Sequence, residues 1–217
     1  MILEPIYLYC GRTGSGLWEE PLSLVASFAF VAVAVQVWRS AGELRLLRVM
    51  AGLIFLLWPA GLWLHFLPSP LAVGADIGPI LLLVLTCFYG VNRDMVGLSR
   101  SMAAVCTLLI LPFAAVSLPL IALLHGAAGS AAYVPLPVLL LGYAAVLRPE
   151  RPDTARGLLQ AALIMVVAIV ARAVDLPLCG VWPLGTHFLW ILGTAVLLWY
   201  LARVYRRHML AGLAGGG

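Results

Sequence analysis

The sequence predicts an all-α integral membrane protein, a single seven-helix bundle over residues 1–217. Three observations predict it. The chain is 64% hydrophobic and only 10% charged, with a mean hydropathy of +1.07, more apolar surface than one soluble core of this length can hide. It carries seven apolar runs, each near the ~20 residues that a helix needs to cross a bilayer. Its arginines also sort to one side when those runs are taken as alternating crossings.

The runs fall at 21–38, 49–67, 71–91, 102–124, 131–147, 157–174 and 181–202, and charge or Gly/Pro clusters bound them. The first begins after Glu19, Glu20 and Pro21 and stops at Arg39. The second lies between Arg48 and the Leu-Pro-Ser-Pro stretch, and the third runs from there to Arg93. The fourth follows Arg100. The fifth is short and contains Pro135 and Pro137, so six spans with a re-entrant segment is the competing count. The sixth follows Arg156, and the seventh ends at Arg203.

All 13 basic residues are arginine. With the N-terminus outside, Arg39, Arg45, Arg48, Arg93, Arg100, Arg148, Arg151, Arg156, Arg203, Arg206 and Arg207 fall together on the inside. Arg12 alone falls in an outer segment, and Arg172 lies within a span near its outer end. The formal charge of +4 therefore reads as a cytoplasmic arginine belt, with no nucleic-acid partner expected. The first ten residues lack the basic segment of a signal peptide, and the glycine-rich tail is expected to be disordered.

Cys87 and Cys106 fall inside spans, where a small buried thiol is ordinary. Cys10 and Cys179 both fall in outer segments, which leaves a disulfide between them open.

Ionisable side chains at membrane depth cost several kcal/mol unless they are paired or hydrated. Five stand out: Glu20, His65, Asp76, Arg172 and His187, all in the outer third under this topology. Each has an ordinary reading as well. Glu20 suits a helix N-terminus, Arg172 and Asp175 are spaced to neutralise each other, and His65 could be an interfacial histidine. Taken together, two histidines and a carboxylate at one depth supply the parts of a zinc site that activates water, with an acid/base partner beside it.

Residues 9–30 (YCGRTGSGLWEEPLSLVASFAF), the stretch GLWLHFLPSPLAVGADIGPI with His65 and Asp76, and LCGVWPLGTHFLW resemble the alkaline ceramidase family, in particular its bacterial members. The resemblance covers nearly the whole chain. It implies a seven-helix zinc amidase in the membrane, for this chain a bacterial inner membrane, that cleaves ceramide or a related lipid amide. It also implies His65 and His187 as zinc ligands, Asp76 as the residue that positions the attacking water, and a Cys10–Cys179 disulfide. Glu20 matches a glutamate that serves a calcium site in animal members.

Several positions depart from the family pattern. Ile191 stands where the second histidine of an HxxxH pair belongs, and Gly61 replaces an assisting serine. Gly11, Ser23 and Ser27 replace residues of the calcium site, so calcium is not expected. Asp76 entering the ligand set, or His125 swinging in from its loop, are the ways to replace the lost ligand. The competing functions are a degenerate lipid-binding member of the same fold and, further off, a haem protein with His65 and His187 as axial ligands. A transporter is also conceivable, because Pro112 and Pro119 interrupt the fourth run.

Overall fold

A computed structural model describes residues 9–10, 18–67, 69–125 and 128–214, with the side chains of 118–129 and 213–214 outside that description. Gly11, Arg12, the His125 side chain and the final glycines therefore lie outside the described residues. Among those described there is no strand. The helices are α1 (Pro21–Ser40), α2 (Arg45–Phe66), α3 (Pro70–Gly90), α4 (Arg100–Leu108), α5 (Ile110–His125) and α6 (Ala128–Ala131). They continue with α7 (Pro135–Leu147), α8 (Pro152–Ala173), α9 (Asp175–Leu178) and α10 (His187–Ala214). A π-helical turn, Val91–Met95, extends α3.

Six helical stretches among the described residues are long and apolar enough to cross a membrane: Pro21–Ser40, Arg45–Phe66, Pro70–Met95, Arg100–Ser117, Pro152–Ala173 and His187–Gly212. Six of the expected seven runs meet that measure. The fifth apolar run forms α7, a helix of 13 residues that starts at Pro135. At 1.5 Å per residue it is about 20 Å long, short of the ~30 Å hydrocarbon core. Proline suits the start: Pro135 lacks an N–H and stands in the first turn, where that N–H would have no partner within the helix.

Proline sets other helix starts in the same way, with Pro21, Pro70 and Pro152 each in the first turn of its helix. Ser69 adds a cap to α3, its hydroxyl accepting from the Ala72 N–H at 3.2 Å. Short connections follow from these stops and starts, so α1, α2 and α3 are packed in sequence, α10 lies between α1 and α8, and α7 packs on α8.

Small residues hold the α8–α10 contact. Gly193 lies against Ala168 and Gly157 against Val204, so close that an added Cβ would stand 2.9 Å and 2.7 Å from those side chains. Close backbone approach of this kind is how helices associate where no hydrophobic force separates helix from lipid. The outer faces remain apolar, with Val116, Val146, Val167 and Leu163 all exposed. A surface of that composition is suited to hydrocarbon.

At the arginine-rich end, polar side chains bond to one another across helices. Asn92 donates from Nδ2 to Thr107 Oγ1 (3.1 Å) and accepts at Oδ1 from the Tyr143 hydroxyl (2.7 Å). Tyr205 donates to Asp94 Oδ2 at 2.6 Å. His208 bridges Thr154 Oγ1 (2.9 Å) and the Asp94 carbonyl (3.1 Å). The carbonyl can only accept, which fixes the proton on Nε2 and makes Nδ1 the acceptor from Thr154. Arg206 Nε donates to the Ser40 carbonyl at 2.8 Å.

Candidate metal and ligand site

The opposite end of the bundle is assembled by Asp175, which begins α9. Its carboxylate accepts three backbone N–H groups: Cys10 on Oδ2 (2.8 Å), and Thr186 (2.6 Å) and His187 (2.9 Å) on Oδ1. Two of these donors lie at the N-terminus of α10, where the first N–H groups have no partner within the helix and a negative charge is favoured. Asp175 is 2% exposed, so this bonding is what makes its burial tolerable. Among the described residues Asp175 makes no ion pair with Arg172, the alternative that their spacing had offered, and its carboxylate is engaged by the backbone instead.

Gly185 makes that turn possible. Its φ is +65°, and a Cβ there would sit 2.6 Å from Asp175 Oδ1 and 2.9 Å from the Cys10 Cβ. Cys10 is also joined to Cys179 by a disulfide. The start of the chain is thereby fixed against the loop that leads into α10. Tyr9, next to Cys10, stacks on His187 with ring centroids 3.6 Å apart.

Glu20, His65 and His187 are all buried and each offers one ligand atom, and these atoms lie within 4.8 Å of one another. His65 Nδ1 is 3.7 Å from Glu20 Oε2, and the two imidazole rings meet edge to face at 6.3 Å. Donors bound at ~2.1 Å to one tetrahedral ion lie about 3.4 Å apart, so a small contraction brings this group to a metal. Two imidazoles and one carboxylate form a known ligand set for catalytic zinc, and it leaves a fourth position open. The group could hold a metal ion.

Sequence reasoning set Glu20 apart as a structural residue or part of a second site, whereas the structure brings it into the same group as both histidines. A signal for this was present. Residues 41–44 join two antiparallel helices, and Glu20 lies 21 positions before Ala41 while His65 lies 21 positions after Leu44. Equal distance from a short turn places two residues at one level. Asp76 lines the adjoining cavity but is outside the three-residue group. Ile191, buried one turn along α10 from His187, lines that cavity too.

The cavity has a volume of ≈180 Å³. Tyr9, His65, Asp76, Arg172 and His187 line one end, and Leu46, Met95 and Tyr205 line the other. Leu46 and His65 are both on α2, so the cavity extends about 28 Å along the bundle at 1.5 Å per residue. Between the two ends its wall is almost wholly apolar. Gly61 lines it one turn before His65, with open space where a side chain would project.

Arg172 stands at the polar end, ringed by aromatic side chains. Its guanidinium carbon is 5.3 Å from the Tyr9 ring centroid and 5.6 Å from those of Tyr133 and Trp190. Burial pushes the Tyr9 phenol up to about 12, against the opposing pull of Arg172, so it stays neutral beside the cation. Sequence reasoning did not find Tyr9, Tyr133 or Trp190 at this site, since single aromatic residues in apolar runs carry no signal of their own.

Comparison of the chain with family models, curated proteins and solved structures returns no match. What the chain does is therefore argued from its own geometry.

Proposed function

We propose that the chain is a ceramidase-like hydrolase of lipid amides, dependent on zinc and embedded in a bacterial inner membrane. The observation that carries this reading is the Glu20, His65 and His187 group, placed at the polar end of a long apolar cavity that Asp76 also lines. A lipid with one chain in the cavity presents its polar linkage to those residues. In the same reading α7 completes a seventh crossing, with the N-terminus outside and the arginine belt inside.

Glu20, His65 and His187 would hold the zinc ion. When bound there, zinc supplies Lewis acidity and lowers the pKa of water to about 7. Asp76 takes the proton of the attacking water on a carboxylate oxygen and returns it to the departing nitrogen. The apolar wall orients the acyl chain and disfavours water along its length. A haem between His65 and His187 is disfavoured, because a Glu20 oxygen belongs to the same tight group and leaves no plane for a porphyrin.

Ile191 favours one other reading, a lipid-binding relative without turnover, since an isoleucine offers no ligand where the family pattern has a histidine. Two measurements on purified protein separate them. The hydrolase reading expects about one zinc per chain, lost in His65→Ala, and release of fatty acid from long-chain amides. Zinc absent from the wild-type protein, or activity indifferent to His65→Ala, overturns it. Lipid binding without release supports the second reading.

A further inference from the structure

Arg172 is not explained by a neutral lipid. Its Nε is shielded from solvent and makes no hydrogen bond among the described residues, and no carboxylate among them lies within ion-pair distance. Asp175, three residues on, is committed to backbone N–H groups. Tyr9, Tyr133 and Trp190 present their ring faces to the guanidinium. Asp76 is the carboxylate that shares the cavity with Arg172, and no ion pair joins the two.

The position of the cation matters as much as its charge. Tyr9 touches both the His187 imidazole and the Arg172 guanidinium, so the cation stands one ring away from the ligand group. Three rings hold it in place before any ligand arrives, and a guanidinium fixed in advance loses little freedom when it pairs with a carboxylate. A neutral headgroup at this point would leave Asp76 to balance a half-buried cation that it does not pair with directly, whereas an anionic headgroup supplies a counter-charge in contact.

Building on the amide hydrolase reading, we infer that the ligand is an N-acyl amino acid, whose carboxylate binds Arg172 while its acyl chain fills the apolar cavity. In such a molecule the carboxylate is one carbon from the amide nitrogen, so one headgroup reaches Arg172 and the Glu20, His65 and His187 group together. Hydrolysis then consumes one water. Its oxygen forms a bond to the acyl carbon, the C–N bond breaks, the nitrogen takes up a proton, and a fatty acid and a free amino acid leave. Arg172 selects the substrate and positions it, and takes no part in the proton transfers.

The test compares N-oleoylglycine with its methyl ester, which lacks only the negative charge. Binding to the full chain in detergent is measured by thermal stabilisation, and oleate release is measured separately. The acid should bind about tenfold or more tightly than the ester, as a charge-assisted pair implies. Arg172→Gln should bring the two within about twofold, while Arg172→Lys, which keeps the charge without the fork, should retain part of the preference. Equal binding of acid and ester by the wild-type protein overturns the inference, and this comparison holds even where Arg172→Gln fails to fold. A preference that survives in Arg172→Gln overturns it as well. Preferential binding without oleate release keeps the role of Arg172 and rejects the hydrolase, whereas oleate release from the ester as readily as from the acid does the reverse.

Discussion

Asn92 and Asp94 at one end of the bundle, and Glu20 and Asp76 at the other, are all polar groups set among apolar helices, but they are used in opposite ways. At the arginine-rich end Asn92 joins Thr107 to Tyr143, and the Asp94 residue joins Tyr205 to His208. Each of those bonds ties one helix to another, and Gly90 lets α3 come into contact with Leu46 and Tyr205 beside them. At the other end His65, His187, Asp76 and Arg172 converge on a cavity, with Glu20 beside the two imidazoles. A buried network whose members bond to one another serves rigidity. Groups gathered at the mouth of an apolar cavity are placed to meet a ligand. The difference separates structural polar residues from functional ones without any relative for guidance.

Substitutions can break this contrast at either end. The largest effect is expected from Glu20→Gln, His65→Ala or His187→Ala. Loss of a ligand should lower zinc affinity by more than the ~100-fold typical of an outer-shell change, with the helical circular dichroism kept. Zinc titration checks it, and undiminished affinity in Glu20→Gln would falsify the three-residue site. Asp175→Ala comes next, since it deprives three N–H groups of a charged acceptor. It should cost roughly 3–5 kcal/mol in a thermal or denaturant assay and also release Tyr9 from His187.

Ile191→His sharpens the comparison from the other side. A fourth protein ligand closes the coordination shell, so zinc affinity should rise about tenfold while turnover falls, because structural sites are closed and catalytic ones are open. An affinity unchanged by this substitution would show that position 191 does not face the ligand group. Tyr143→Phe removes one bond at the arginine-rich end. It should cost about 1 kcal/mol of stability and leave zinc binding as it was. The smallest effect is expected from Gly61→Ser, which enters open space and should change stability by less than about 0.5 kcal/mol. Its influence on turnover measures how far the assisting serine of the resembling family carries over.

Much of the bundle was legible because a membrane helix announces itself through length and composition. Helix starts followed from proline, and the arginines marked one end. The fifth run was the one left between two counts, because composition reports that a segment is apolar, not how long a helix it forms. At the site, His65, Asp76, Arg172 and His187 were visible as ionisable residues in apolar runs. Glu20 was visible too, but its place with the histidines needed the register of the α1–α2 hairpin. The role of Asp175 was not legible, because i to i+3 spacing offers only a nearby partner, whereas its partners are backbone groups at Cys10, Thr186 and His187. Nothing local in the sequence encodes a contact of that range.

The Asp175 carboxylate has one more consequence, for how this sequence can vary. It meets three N–H groups at once, and Gly185 lies against it with no room for a side chain. Neither residue can change without the other feeling it, while Ile191 and Gly61 border open cavity and are free to differ. Once relatives of this chain are aligned, columns 175 and 185 should be nearly invariant as an acid and a glycine. Columns 61 and 191 should vary more freely.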